Sequence, residues 1–319
     1  MMLLNSTIHT DNIIAATLLF VFPVGGLIPY LGFILAVVAT KEYRQNSYYL
    51  LAAGLGVFDS TILVVLIIIC PGSILLQRPV SQKLNEFLGS GIVFAYQAGL
   101  PIICSIAFNR YYCAIKRTEY KYAFSVRNTM IILGASTVFG LLYSIPSWNK
   151  CCVFYYYPTA YGYSWDMNEL GGMVMSAMHL VLTLPTVVVT FACNLVVFRH
   201  YRKMHKTMDE SEDGKQEKIR QEREIKLFIQ FFIIVLYMVI FTIFFLSSVA
   251  IPPNKWLFLF MMCLACFQFS INGFVYMILN KSVRRRVKEL VFRQSPAAVG
   301  STSNPSTKVS IIQKQAAAS

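Results

Sequence analysis

Seven blocks rich in apolar residues divide the chain, and each is long enough for a membrane-crossing helix, which takes roughly 17 to 25 residues. Charges or prolines separate the blocks, which cover residues 13–39, 49–70, 87–108, 129–146, 170–198, 227–250 and 256–279. Charged residues make up only 13% of the chain, whereas soluble domains carry about 25%. The pattern predicts an all-α integral membrane protein, a bundle of seven transmembrane helices.

The basic residues indicate the orientation, because Lys and Arg accumulate on the cytoplasmic side of a membrane. With the amino terminus outside, the inner segments hold 24 of the 28 basic residues and the outer segments hold 4. The first block has no basic residue before it and is longer than the core of a signal peptide, so it is expected to stay as a span. We therefore expect a multi-pass protein of the plasma membrane with an extracellular amino terminus.

The segments outside the blocks complete the organisation. Residues 1–12 are expected to be the extracellular amino terminus, 13–280 the transmembrane domain, 281–294 a short amphipathic helix after the seventh span, and 295–319 a disordered cytoplasmic tail. The amphipathic helix places Val283, Val287, Leu290 and Val291 on one face, which is typical of a helix on the inner membrane surface. The charged segment 200–224 is expected to be a mobile inner loop or a helical extension of its neighbours.

The net charge of +13 does not indicate a nucleic-acid-binding protein. The basic residues lie in short inter-helix segments and in the tail, where anionic inner-leaflet lipid is the expected contact. Membrane lipid is therefore an expected partner and nucleic acid is not, and no cofactor is expected.

Two residues suggest chemistry. We interpret Asp59 as the only acid or base well inside a span, where a charge costs about 2.5–3.5 kcal/mol, so it must pair, bind an ion or be protonated. The alternative is a protonated or hydrated Asp59 that only joins helices by hydrogen bonds. Arg110 closes the third block before Tyr111 and Tyr112, and in isolation it reads as an interfacial arginine beside belt tyrosines.

Four sequence segments together change that interpretation. They stand in order on the expected sides of the membrane. They are Gln45-Asn46-Ser47-Tyr48-Tyr49 leading to Asp59, the triplet Asn109-Arg110-Tyr111, Pro185 in the fifth block, and Asn272-Gly273-Phe274-Val275-Tyr276. They resemble the first inner loop and second helix, the Asp-Arg-Tyr motif, the fifth-helix proline and the Asn-Pro-x-x-Tyr motif of rhodopsin-like G-protein-coupled receptors. The resemblance extends from residue 13 to about residue 293.

Finer detail resembles the nematode serpentine chemoreceptors, most nearly class X. Asn109-Arg110-Tyr111-Tyr112-Cys113-Ala114-Ile115 is similar to that family's Asn-Arg-aromatic-aromatic-x-Ala-Ile, and Asn272-Gly273 stands where the family tends to have Asp-Gly. The resemblance implies chemosensation, olfaction included, and a location in the cilia of sensory neurons. It also implies that Asp59 and Asn272 face each other, with water or sodium between them.

Several positions depart from the superfamily pattern. Asn109 is neutral where the superfamily has an acid, Gly273 replaces the seventh-span proline, and the sixth block lacks the Cys-Trp-x-Pro hinge. A hinge at Gly273 would have to come from glycine's flexibility. No cysteine stands at the outer start of the third block, so the superfamily's usual disulfide to the second outer loop cannot form in its usual way.

Three cysteines on the outer side could still pair. Cys151 and Cys152 lie in an aromatic outer loop, and Cys70 lies at the outer end of the second block, so one disulfide from Cys70 to either residue is open, as are free thiols. Asn5-Ser6-Thr7 is a glycosylation sequon on the expected outer side.

The leading functional interpretation is a receptor that couples an outer ligand to a heterotrimeric G protein. The outer half of the bundle, near Ile92, Tyr96, Gln97 and Met261, is expected to form a mostly apolar pocket. Because we identify no acid or base in the outer halves of the spans, a small uncharged ligand is favoured over an amine.

The cytoplasmic switch is expected to involve Asn109, Arg110, Tyr111 and Tyr276. Without an adjacent acid, Arg110 should seek another acceptor. We hypothesise that it approaches Glu224 in the idle receptor; alternatively, Glu224 is a solvated residue of a mobile loop.

Two other functional classes are less consistent with the sequence. A channel or transporter should carry several intramembrane charges, broken helices and paired repeats. An enzyme is not expected either, because neither a His-Glu-x-x-His motif nor a pair of buried acids occurs.

Overall fold

The computed structural model describes residues 2–208, 229, 232–244 and 254–292, with side chains described for 10–203 and for the later ranges. Six of the described helices are long and apolar enough to cross a membrane, and an apolar helix at Phe232–Phe244 lies within the sixth predicted block. Together they form the predicted bundle. The helices are α1 (Met2–Ala39), α2 (Lys41–Arg44), α3 (Ser47–Leu76), α4 (Gln82–Ala114), α5 (Arg117–Ala123), α6 (Val126–Ser144), α7 (Leu170–Met208), α8 (Phe232–Phe244), α9 (Lys255–Leu279) and α10 (Lys281–Val291).

The long helices extend beyond the apolar blocks to capping residues at which they begin or end. The Asn46 side chain accepts a hydrogen bond from the Tyr48 backbone at 3.0 Å and begins α3, and Gln77, in the left-handed conformation, ends it. Ser81 caps α4 and Asn254 caps α9 in the same way. Polar side chains at helix starts satisfy backbone N–H groups that have no partner within the helix. The apolar blocks therefore indicate the part of each helix that crosses the bilayer, whereas the capping residues indicate where the helix begins or ends.

The helix α4 lies at the centre of the bundle and packs against α3, α6 and α7, while α1 packs against α3 and α9. The spans α3 and α4 are the most buried of the six. The outward sides of the spans expose large apolar residues such as Val21, Ile28 and Val181. A soluble protein would bury such a surface, and here it faces lipid.

The second outer loop contains a β-hairpin that the sequence analysis did not predict. Strand β1 (Phe154–Tyr157) pairs antiparallel with β2 (Gly162–Trp165), and Phe154 lies opposite Trp165. Two short 3-10 turns, Ile145–Trp148 and Lys150–Cys152, lead into it. Tyr156 and Tyr161 are buried, so the hairpin lies against the outer end of the bundle.

The helix α10 is amphipathic as predicted, but its apolar face is divided. Val283 and Val287 are buried against the protein, and Val287 lies beside Gly32 of α1. Val291 and Phe292 are exposed and remain available to lipid.

Two predicted segments lie largely outside the described residues. The charged segment 200–224 begins as a helical extension, since α7 continues to Met208, and residues 209–228 are not described. The tail from residue 293 is not described either. At the other end, α1 begins at Met2, so most of the expected amino-terminal segment is helix.

Candidate functional site

A buried polar cluster joins three spans around Asp59. The α3 helix turns this carboxyl group into the bundle, where Oδ2 accepts hydrogen bonds from the Tyr30 hydroxyl of α1 at 2.5 Å and from Asn272 Nδ2 of α9 at 3.2 Å. The three side chains are at most 7% exposed. The structure thus brings Asp59 and Asn272 together as the resemblance implied, and it adds Tyr30, which the sequence analysis missed.

A cavity of about 30 Å³ lies beside this cluster. One water needs roughly 10–15 Å³ of such space, so the cavity has room for about two waters or one small cation. Asp59 supplies one carboxylate and Gln268 one amide to its lining. The Gln268 Oε1 atom is buried without a hydrogen-bond partner among the described residues. These oxygen atoms therefore fit water or a sodium ion. Sites for ions such as zinc use several His, Cys, Asp or Glu side chains, and the described ranges contain no group of three or more of these that could hold a metal ion.

A second polar cluster joins α4 and α7 in the outer half of the bundle. Gln97 Nε2 lies 3.1 Å from His179 Nδ1, and the Tyr96 ring stacks on the His179 ring with centroids 4.6 Å apart. The Tyr96 hydroxyl lies 3.4 Å from the Thr183 hydroxyl. The Gln97 amide nitrogen faces Nδ1, so Nδ1 accepts this hydrogen bond in the tautomer that carries its proton on Nε2.

His179 corrects two expectations. It is a titratable residue inside the fifth predicted block, so Asp59 is not the only acid or base within a span, and the outer halves are not free of such groups. The signal was present, since one histidine interrupts block 170–198.

The four predicted pocket residues do not form one pocket in this structure. Tyr96 lines the cavity beside Asp59 and contacts Phe269 of α9 edge-to-face at 6.3 Å. Ile92 packs in the main apolar core, Gln97 pairs with His179, and Met261 is buried on α9. This cavity, at about 30 Å³, is far smaller than the roughly 300 Å³ of a small ligand pocket.

At the cytoplasmic end, Arg110 lies against aromatic residues. Its guanidinium carbon is 3.5 Å from the centroid of the Tyr48 ring, and the Tyr48 hydroxyl donates to the Tyr276 hydroxyl at 3.2 Å. Tyr276 in turn stacks on Phe33 of α1 at 4.2 Å. All of these groups are buried or nearly so, which strengthens a cation–π contact. Arg110 is therefore joined to α3 and, through Tyr48, to α9 and α1.

The other predicted switch residues have separate surroundings. Asn109 Nδ2 donates to the Tyr120 hydroxyl of α5 at 3.4 Å. Tyr111 is half-buried against Ala114 and Val197, so it links α4 to α7. Glu224 lies outside the described residues, and its predicted approach to Arg110 stays a prediction.

The family model described as "Serpentine type 7TM GPCR chemoreceptor Srx" matches residues 20–280, which is most of the chain. The chain belongs to this family. The resemblance predicted from the sequence is thus confirmed.

A structural comparison is consistent with the Srx membership. The crystal structure of squid rhodopsin superposes with a TM-score of 0.74 over 89% of this chain and 86% of that chain, at 13% sequence identity. At that identity the likeness shows the fold alone. The Srx chain therefore has the seven-helix rhodopsin fold.

Of the two alternatives left open for the outer cysteines of this Srx chain, the structure has the free thiols. All eight cysteines lie in the described ranges and are free. Cys70 is buried in the main core, whereas Cys152 packs in a separate cluster with Val93, Tyr143 and Trp165. Hydrogen bonding to Cys151 raises the pKa of Cys152 to about 11. The side chain of the sequon residue Asn5 is not described, so glycosylation stays a prediction.

Proposed function

We propose that this receptor binds a small, uncharged ligand in the outer half of the bundle and activates a heterotrimeric G protein at its cytoplasmic face. The family and the fold are those of a G-protein-coupled chemoreceptor. The observation that carries the coupling proposal is Arg110, a permanently charged side chain buried at the inner end of α4 and joined through Tyr48 to Tyr276.

The outer polar cluster supports the ligand proposal. Tyr96 bridges α7 and α9 through contacts with His179 and Phe269, and Gln97 Oε1 is buried with no hydrogen-bond partner among the described residues. Buried polar atoms are normally satisfied by protein, water or ligand. A small neutral molecule that hydrogen-bonds Gln97 or His179 would shift Tyr96, and with it the spacing of three spans.

Population shift connects the two ends. A ligand can move an equilibrium only by the difference between its affinities for the two states. The compact arrangement has little free space beside Tyr96, so ligand binding would favour a wider arrangement of the outer bundle. In our proposal that arrangement releases Arg110 from Tyr48 and opens the cytoplasmic face to the G protein.

Expression in cells with a set of Gα subtypes tests this proposal. A panel of small neutral odorants should produce ligand-dependent nucleotide exchange in membranes, and the response should disappear in Arg110→Ala at equal surface expression. Membrane current without nucleotide exchange would instead indicate a channel. Exchange driven only by cationic amines would contradict the uncharged-ligand proposal.

Location and topology are tested separately. We propose a plasma-membrane receptor with an extracellular amino terminus, located in the cilia of sensory neurons. An epitope placed before residue 10 should stain intact cells, and one placed after residue 295 should stain only permeabilised cells. The reverse pattern would contradict the orientation.

A further inference from the structure

Asn85 makes an unusual pair of contacts with the outer hairpin. It lies one turn into α4 and is 1% exposed. Its Nδ2 donates to the Tyr156 carbonyl at 3.0 Å, and its Oδ1 accepts from the Tyr156 backbone N–H at 3.0 Å. The side-chain amide therefore pairs with β1 as a neighbouring strand would.

The next turn of α4 is shaped for the same strand. A Cβ atom at Gly89 would lie 1.8 Å from the Phe154 carbonyl oxygen, so only glycine permits this approach. The side chain of Tyr156, whose backbone pairs with Asn85, is fully buried. It packs in the main apolar core, which also contains Cys70 of α3. The hairpin therefore lies over the outer end of the bundle, where the Cys70 thiol of α3 is fully buried.

Other contacts hold the far side of the hairpin. The Tyr161 hydroxyl donates to Asn12 Oδ1 of α1 at 2.6 Å, and the Lys255 ammonium of α9 lies 5.8 Å from the centroid of the Tyr161 ring. The Gly162 position approaches the Phe258 ring. With all eight cysteines free, each of these attachments is non-covalent.

We propose that Asn85 is the positioning residue that holds the hairpin as a roof over the outer bundle, in place of a disulfide. An asparagine amide offers a donor and an acceptor on two adjacent atoms, whereas an ionised Asp only accepts and a Ser hydroxyl has both functions on one oxygen. The roof is therefore indifferent to reductant and opens reversibly when the two hydrogen bonds break. This role does not depend on the identity of the ligand or on G-protein coupling.

Thiol labelling at Cys70 measures roof opening. Full-length receptor in lipid nanodiscs is treated with a charged, membrane-impermeant maleimide, and modification of Cys70 is followed by peptide mass spectrometry. Cys70 in Asn85→Ala should be labelled about tenfold faster than in the natural protein. This corresponds to a decrease of about 1.4 kcal/mol in the free energy of roof opening. Asn85→Asp keeps the acceptor but places a buried carboxylate oxygen against the Tyr156 carbonyl, so it should label at least as fast as Asn85→Ala.

The matched control is Ser90→Ala on the same helix. The Ser90 hydroxyl donates to the Ser147 carbonyl at 3.0 Å, so its loss removes a buried hydrogen bond to the outer loop without touching the hairpin. Cys70 labelling in Ser90→Ala should match the natural protein. Labelling in Asn85→Ala no faster than in Ser90→Ala would overturn the proposal.

A second measurement needs no variant and decides the question if Asn85→Ala does not fold. Hydrogen exchange of residues 154–165 in the natural protein should be the same with and without a phosphine reductant. Protection that collapses on reduction would show that a disulfide holds the hairpin, and Asn85 would then have no such role.

Discussion

At the scale of single residues, Asp59 shows how a bilayer core tolerates a carboxyl group. Its Oδ2 atom accepts from both Tyr30 and Asn272, so helices α1, α3 and α9 each supply one member of the cluster. A buried acid that lost one donor would keep the full penalty of desolvation. The cluster is therefore a structural joint as well as a candidate ion site.

The contribution of Tyr30 can be measured directly. Tyr30→Phe removes one hydrogen-bond donor from a fully buried position and should lower the free energy of unfolding by about 1–3 kcal/mol. Thermal unfolding of purified receptor followed with a thiol-reactive dye gives the comparison. Tyr122→Phe is the control, because Tyr122 is 83% exposed. Equal stability of the two variants would contradict a structural role for the Tyr30 hydroxyl.

Sodium as the occupant of the cavity beside Asp59 leads to a separate prediction. Asp59→Asn keeps an acceptor for Tyr30 and removes the negative charge that a cation needs. Ligand-free nucleotide exchange should be lower in NaCl than in choline chloride at equal ionic strength, and the difference should vanish in Asp59→Asn. A natural protein that is insensitive to sodium would leave water as the occupant of the cavity.

Sequence reasoning found some of these residues and missed others for identifiable reasons. Asp59 and Asn272 were found because known motifs position them. Tyr30 and Asn85 resemble ordinary span and helix-end residues, and only tertiary contacts show their role. His179 could have been found, since any titratable residue inside an apolar block is a functional candidate.

At the scale of elements, the spans were predictable because hydrophobicity is averaged over about 20 residues. The hairpin was not, since four-residue strands in an aromatic loop carry no comparable signal. Gly273 shows a third case. The sequence suggested a flexible hinge, but a Cβ there would lie 2.9 Å from the Tyr30 backbone nitrogen, so the glycine permits close packing of α9 on α1.

Two neighbouring glycines of α1 test this packing. A Cβ at Gly26 would lie 1.8 Å from Ser270 Oγ of α9, whereas a Cβ at Gly25 meets nothing within 4 Å. Gly26→Ala should therefore separate α1 from α9 and lower both surface expression and thermal stability. Gly25→Ala should be neutral or slightly stabilising, because alanine favours helix over glycine by about 1 kcal/mol. Equal behaviour of the two variants would contradict the close approach.

At the scale of the whole molecule, the clusters described here lie at three depths along α4. Asn85 holds the outer hairpin, Tyr96 lies beside the cavity, and Arg110 closes the cytoplasmic end. The central helix therefore contacts every layer that a ligand signal would have to cross. Because packed interfaces have discrete arrangements, small outer shifts can be converted into a change at the inner end.

The restraint on Arg110 gives the last prediction. The Arg110 guanidinium lies 3.5 Å from the centroid of the Tyr48 ring, and a desolvated cation–π contact is worth about 2 kcal/mol. Tyr48→Leu should therefore raise ligand-free nucleotide exchange several-fold at equal surface expression. Tyr48→Phe keeps the ring and loses only the bond to Tyr276, so its increase should be smaller. Glu224→Gln is the companion variant. A larger increase in exchange in Glu224→Gln than in Tyr48→Leu would indicate that the inner loop, rather than the ring, restrains Arg110. Unchanged exchange in Tyr48→Leu would refute the role of the ring.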